Sequence, residues 1–396
     1  MPRYVIDEAA LERNLKILKG VSDRAGVKIL LAQKAFSCAA AYPLCAKYLA
    51  GTTASSLFEA KHGHDNFGGE THVFAPAFIP EEMDELLGIV DHIVFNSPRQ
   101  VEKFGASAKA RGVSIGLRVN PEVSVATTPA YDPCRPGSRL GTTRSALFQH
   151  PTTNCQLPTT NSLDGLHFHC LCEQGVEELR KVLAGFEAKF GDLLPQMKWV
   201  NFGGGHHITR ADYDVEGLVA LLLDFRRRYP HLTVYLEPGE AIALDAGTLE
   251  ATVLEIQPPD ADGVSNAILD VSAACHMPDV LEMPYTPRVV VNGERGKVKG
   301  EGGMVKGERG KVKGEGFACR FGGPTCLAGD VIGTYGFDRP LKEGDTVVFE
   351  DMAIYSMVKN NTFNGVNLPD IVLRHTDGTL SVLRSFGYGD FATRLG

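Results

Sequence analysis

The stretch LLAQKAFS, residues 30–37, ends an apolar run with a lysine. An ammonium there is costly to desolvate, so Lys34 must be solvated, paired or chemically employed. Other short stretches carry groups suited to work beside it. In GLHFHCLCEQ (165–174), His167 and His169 stand two apart, which on a strand places both imidazoles on one face. In NFGGGHH (201–207), Gly203, Gly204 and Gly205 let backbone N–H groups crowd around an anion, although the same triplet also makes a tight turn. In YLEPGEA (235–241), Glu237 and Glu240 flank a Pro-Gly turn. Such acids hold a protonated ring nitrogen or receive an ammonium, or simply face water at a surface turn. Two further loops, GGPTCLAGD (322–330) and EDMAIYSMVKNNTFNG (350–365), carry Cys326, Asp330 and Tyr355. A lone loop cysteine is usually inert.

Paired histidines raise a metal reading, zinc or iron. It requires a third histidine and a carboxylate on neighbouring strand ends, where the sequence offers lysine, serine, asparagine and glycine. No metal is therefore expected; a core His167 with a ligand-facing His169 fits better. A lysine, an anion cradle, an imidazole and a carboxylate are instead the parts that hold pyridoxal 5'-phosphate. Lysine forms the Schiff base, glycine amides take the phosphate, imidazole stacks on the ring and carboxylate keeps the ring nitrogen protonated. Decarboxylation, racemisation and transamination are all open to such a site.

These groups need a scaffold. Eight strand-like segments recur at 27–35, 51–56, 71–77, 92–97, 114–121, 163–173, 199–205 and 232–240, with helical patterns such as 176–190 and 215–229 between most of them. That order predicts an α/β chain whose first part is a (β/α)8 TIM-like barrel. A doubly wound open sheet is the alternative, since spacing does not show closure. Lys34, Ser56, Asn96, Asn120, His169, the triple glycine and Glu237 all fall at strand ends, which in a barrel share one rim. Beyond residue 245 the texture turns to strands, in TLEATVLEI, NAILDVSAA, GDTVVFED and TLSVLRSFG. The expected division is a barrel over 9–245 and a C-terminal β-rich domain over 246–396, completed by the first strand within 1–8. GERGKVKGEG occurs at 293–302 and again at 307–316, and its glycine and charge predict a solvated loop or frayed hairpin. It reads as a tolerated insertion, or else as an anion-binding or partner-binding loop.

The chain's 396 residues suffice for a large domain plus a smaller one, and its formal charge of −8 argues against nucleic acid or an acidic membrane as partner. That charge mildly favours a cationic small-molecule substrate. The first twenty residues lack a signal peptide's apolar core and no run is long enough to span a bilayer, so a cytoplasmic protein is expected. Nine cysteines without a CxxC pair fit reduced thiols.

Taken in order, LLAQKAFS, GLHFHCLCEQ, NFGGGHHITR, YLEPGEA, CHMPDVLEMPY, GGPTCLAGDVIG and MVKNNTFNGVNLPDI resemble the carboxynorspermidine (carboxyspermidine) decarboxylases. These belong to the fold III, alanine-racemase-like group of pyridoxal-phosphate enzymes, alongside diaminopimelate, ornithine and arginine decarboxylases. The likeness runs from about residue 3 to 372, outside 293–316. It implies a barrel, a C-terminal β-domain and a homodimer with sites at the subunit interface. By resemblance, Lys34 is the Schiff-base lysine, His169 stacks on the cofactor, Gly203–Gly205 form the phosphate loop, Glu237 faces the ring nitrogen and Tyr355 reaches the phosphate. Cys326, with Asp330, matches the loop supplied by the partner subunit, whose cysteine protonates Cα after carbon dioxide leaves. Diaminopimelate and ornithine decarboxylases have arginine where Glu240 stands, and an acid there creates a seat for an ammonium. Glu240 and Asp279, with His276, are therefore candidates for the amines of a polyamine chain, and Arg139 for an anionic group. The rivals are a diaminopimelate-type decarboxylase, which expects arginine at 240, a catalytically silent binding protein of the same shape, and a metal-dependent barrel hydrolase on His167 and His169.

Overall fold

The computed structural model describes residues 1–126, 128–148, 163–298 and 316–396. The chain forms two compact units, one of residues 12–242 and one of residues 1–11 with 243–396. It opens with a strand, β1 (Arg3–Asp7), whose last side chain caps the helix Glu8–Ala25 by accepting the Ala10 N–H at 2.8 Å.

Eight parallel strands build the first unit: β2 (Lys28–Ala32), β3 (Gly51–Ala54), β4 (Glu70–Phe74), β5 (His92–Phe95), β6 (Ser114–Arg118), β7 (Gly165–His167), β8 (Trp199–Asn201) and β9 (Thr233–Leu236). Each pairs with the next, and β9 pairs with β2, so the sheet is a closed barrel and not an open doubly wound one. The strands are near-continuously buried, as parallel strands covered on both faces must be. The single tryptophan explains two glycines here. Side chains at Gly116 on β6 or Gly165 on β7 would run into the Trp199 ring, which packs with Leu30, Val94 and Tyr235 in the barrel interior.

The strands are shorter than the sequence suggests, three to five residues each, because pairing stops where the chain turns onto the rim. Lys34 lies two residues beyond β2 and His169 two beyond β7; neither is in a strand. The helices Val176–Phe190 and Val215–Arg228 match the apolar periodicity, burying Leu179, Val182, Leu183, Phe186 and Phe190 on one and Leu218, Leu222 and Phe225 on the other. Asp214 caps the second by accepting the Gly217 N–H at 2.8 Å.

The second unit is a mixed sheet. Its strands include β10 (Gly247–Gln257), β11 (Val264–Leu269), β12 (Val289–Val291), β13 (Glu294–Arg295), β14 (Lys297–Val298), β15 (Phe317–Gly322), β16 (Val331–Phe337), β17 (Thr346–Glu350), β18 (Asp370–Arg374) and β19 (Leu380–Arg384). β1 pairs antiparallel with β10 and parallel with β18. The start of the first GERGKVKGEG copy, expected as a solvated loop or frayed hairpin, takes the hairpin form: the two-residue β13 pairs antiparallel with β12, and the two-residue β14 with β16. Residues 299–315, the rest of that expectation, lie outside the described residues. Among the described residues no helix is long and apolar enough to cross a membrane.

Candidate active site

Lys34, His169, Gly203–Gly205 and Glu237 all follow C-terminal ends of barrel strands, where a barrel gathers its chemistry. Lys34 is exposed, yet the chain walls it closely enough that desolvation pulls its ammonium pKa below the ordinary value. Repulsion from Arg118 adds to this and attraction from Glu237 opposes it. A larger fraction of amine is therefore available as a nucleophile near neutral pH.

Glu237 is buried and firmly held. His167 Nε2 lies 3.2 Å from one oxygen, and Asn201 Nδ2 donates to the other at 2.7 Å. Burial alone would raise its pKa, but the charge and hydrogen bond of His167, with His72 and Asn201, bring it down to about 2. It is an anion throughout the neutral range. His169 goes the other way: desolvation first, then Lys34 and Arg118, hold its pKa well below the ordinary imidazole value, so its ring is neutral. The Gly204 N–H donates to its Nδ1 at 3.0 Å and fixes the ring.

Two of the three amides in the triple glycine are taken within the chain. Gly203 N–H donates to Asn201 Oδ1 at 2.8 Å, and Gly204 N–H is taken by His169. Among the described residues the amides of Gly205, His206 and Gly239 have no partner, and these are the donors an anion would find. The glycines instead permit close approach. A Cβ on Gly203 would lie 2.7 Å from His169 Cβ, one on Gly204 would run into the Glu237 carbonyl, and one on Gly205 into the Leu171 carbonyl. Gly203 and Gly205 also have φ of +70° and +81°, the left-handed region.

His167, His169 and Glu237 each offer a donor atom within 4.8 Å of the others. The carboxylate thought absent beside the histidine pair is thus Glu237, although His167 and Asn201 already occupy its oxygens. Ser56, Asn96 and Asn120 prove to be local fasteners. Ser56 caps the helix Leu57–Asn66; Asn96 Oδ1 accepts the Gly141 N–H at 2.7 Å; Asn120 Oδ1 accepts the Glu122 N–H at 2.8 Å. Glu240 is half-buried with His207 Nε2 3.0 Å away. Arg139 is exposed, and its carbonyl accepts from Asn96 Nδ2 at 2.9 Å.

Two residues escaped the sequence reading. Asn201 links Glu237 to the glycine loop, and its only signal was adjacency to GGG. Arg118, at the end of β6, is buried, donates to the His169 carbonyl at 3.0 Å and stacks 4.5 Å from the Phe74 ring centre. Desolvation lowers its pKa to about 10, so it stays a cation.

In the second unit, Cys326 is exposed on the loop between β15 and β16, with its N–H donating to Asn364 Oδ1 at 2.9 Å. Asp330 anchors that loop and does not present a free carboxylate. It is buried, with Ser272 Oγ at 2.9 and 2.8 Å, Thr325 Oγ1 at 2.7 Å and the Ala274 N–H at 3.2 Å. His276 is likewise internal: Nδ1 accepts the Ser272 N–H at 3.1 Å, and burial pushes its pKa down to about 4, which leaves it neither exposed nor charged. Asp279 is already paired with the Lys359 ammonium, which also meets Glu282 at 2.6 Å. Tyr355 is half-buried before the helix Ser356–Lys359, with φ of +54°, a left-handed conformation rare for an aromatic residue.

Comparison with known proteins gives this geometry its context. A family model described as "Pyridoxal-dependent decarboxylase, C-terminal sheet domain" matches residues 4–353. The chain is 42% identical over 402 residues to a carboxynorspermidine/carboxyspermidine decarboxylase of Campylobacter jejuni, covering 99% of this chain and 98% of that one. It is 40% identical over 396 residues to a carboxyaminopropylagmatine decarboxylase of Synechocystis, covering 100% of this chain and 95% of the relative. The crystal structure of carboxynorspermidine decarboxylase complexed with norspermidine from Campylobacter jejuni superposes with a TM-score of 0.86 at 40% identity, over 100% of this chain and 99% of that one. A basic residue, a neutral imidazole and an ionised acid on one barrel rim, in a chain matched along most of its length, agree on one conclusion: the chain belongs to the pyridoxal-dependent decarboxylase family.

Proposed function

We propose that the chain decarboxylates carboxynorspermidine or carboxyspermidine to norspermidine or spermidine in polyamine biosynthesis, with pyridoxal 5'-phosphate held on the barrel rim. The observation that carries the reading is an amine of lowered pKa at Lys34 beside an acid, Glu237, kept ionised by His167 and Asn201. The rim fits such a cofactor: neutral His169 offers a ring face, and the unpartnered Gly205, His206 and Gly239 amides offer donors to a phosphate. When bound, the cofactor supplies an electron sink for the pair released as the substrate carboxylate leaves as carbon dioxide.

The chain's own groups do the rest. Lys34, an amine of lowered pKa, would hold the cofactor covalently and would be free to take and give a proton near the substrate's α-amine. Glu237, a held anion, would favour a proton on the ring nitrogen of a bound cofactor. Asn201 and His167 hold Glu237, and Arg118 fixes the His169 backbone. Glu240, which by resemblance stands where diaminopimelate and ornithine decarboxylases carry arginine, receives a substrate ammonium. Arg139 is the candidate for the substrate's anionic end, and Tyr355 for the phosphate. Cys326, a free exposed thiol, delivers the proton to Cα from the second subunit of a homodimer, with Asp330 anchoring its loop.

Purified Lys34→Ala should release no carbon dioxide and lack the visible absorbance of the bound cofactor; a yellow, active variant would overturn the reading. Assays on carboxynorspermidine, carboxyspermidine, carboxyaminopropylagmatine and diaminopimelate then rank the substrates, with diaminopimelate expected to be inert.

A further inference from the structure

His207 follows the glycine loop and is buried beneath Glu240. Its Nε2 lies 3.0 Å from Glu240 Oε2, although the N–H is not aimed squarely at that oxygen. Its Nδ1 meets Arg210 Nη1 at 3.4 Å, and its backbone N–H donates to the Gln174 carbonyl at 3.4 Å. The side chain of Glu240 is 21% exposed and that of His207 8%, so the carboxylate is outermost and the imidazole stands behind it. Glu240 and Lys34 both act on the half-buried Cys172 thiol, Glu240 raising its pKa and Lys34 lowering it, so the fields of the acid and of the lysine overlap there.

We propose that His207 is a positioning residue for substrate selection: it holds the Glu240 carboxylate from behind, and its own proton competes with the substrate ammonium for that charge. The inference rests on the reading of Glu240 as the amine-binding acid.

Arg210 fixes the resting tautomer. A guanidinium N–H facing Nδ1 makes that nitrogen the acceptor and leaves Nε2–H toward Glu240. A neutral imidazole then steadies the carboxylate without cancelling its charge, and the other oxygen remains open to an ammonium. A protonated imidazole would neutralise Glu240 and weaken that seat. The groups facing His207 set the balance: Glu240 and Glu173 favour the proton, burial and Arg210 oppose it, and Asp212 is occupied by Arg210 at 2.5 Å. Burial lowers its pKa and the Glu240 contact more than restores it, so His207 titrates above the ordinary imidazole value. Protonation on the acid side of that point should therefore raise KM for the triamine carboxylate.

The test is KM and kcat of the holoenzyme against pH. Wild type should show KM rising at least roughly fivefold from about pH 8 to 6, with the change in KM and not in kcat. His207→Gln keeps a donor toward Glu240 but cannot gain a proton, so that rise should vanish; His207→Asn serves if the first variant does not fold. An unaltered KM rise in either variant overturns the proposal. Glu240→Gln separates the two readings. If it leaves KM unchanged, the amine-binding role of Glu240 is wrong; if it raises KM while His207→Gln keeps the pH rise, only the role of His207 is wrong.

Discussion

Glu237 keeps its negative charge far into acid because a histidine and an asparagine more than offset its burial. With a pKa near 2, it cannot supply any acid limb of activity above about pH 5. In Glu237→Gln the charge disappears but the shape stays. The plateau kcat should fall at least about 100-fold while the acid limb keeps its position, read from kcat against pH. A limb that moves with the substitution would show that Glu237 itself titrates in turnover. Lys34, His169 and Glu237 are legible in the sequence because polar strand ends, each commonplace alone, converge on one rim of a barrel and sit in motifs that resemble a known family. Asn201 and Arg118 are not, since asparagine and arginine are common at strand ends and only coordinates reveal what they hold. For Asp330, His276 and Asp279 the sequence shows the polar group but not the internal partner each one meets: Ser272 for Asp330 and His276, and Lys359 for Asp279.

At the level of elements, the barrel is readable from eight strand-like segments with helical patterns between most of them, but where each strand stops is not. The glycine-rich and polar stretches after each strand looked like strand continuation, as in LDGLHFHCLCE, where pairing covers Gly165–His167 alone. The triple glycine is legible as an anion cradle or a tight turn, but that two of its amides go to Asn201 and His169 is not. Ser272 plays a similar role in the second unit. Its Oγ meets Asp330 and also accepts the Cys275 N–H at 3.1 Å, capping the helix Ala273–His276. Ser272→Ala leaves Asp330 with Thr325 and one backbone amide, and the helix without its cap. The expected cost is about 1–3 kcal/mol, measured as a lower urea midpoint. If the Asp330 loop positions Cys326, kcat should fall while cofactor absorbance is kept.

The whole molecule buries several histidines in neutral form, and this sets its acid tolerance. His92 stacks on His72 with ring centres 4.0 Å apart, and burial with that neighbour brings its pKa to about 3. His206 in the first unit and His276 in the second are lowered by burial to about 4. In the unfolded chain each titrates near 6.5. Between about pH 6.5 and 4 the unfolded state therefore binds more protons than the native one, and stability falls as pH falls. Each group contributes up to about 1.4 kcal/mol per pH unit in that window, or roughly 2 kcal/mol between pH 6.5 and 5. The depressed carboxylates Glu237 and Glu70, both near 2, act in a lower window: their stabilisation is complete above about pH 4.5 and is lost as pH falls toward 2. The two windows predict a two-part acid response, and the histidine part comes first. His207, whose pKa is raised, adds an opposite contribution that grows as pH falls through its own titration above about 6.5, so the urea midpoint should turn over near there and then decline, ahead of the Glu237 and Glu70 window. His92→Gln, which cannot charge, should soften that decline without moving the later one; an unchanged slope in the variant would remove His92 from this account.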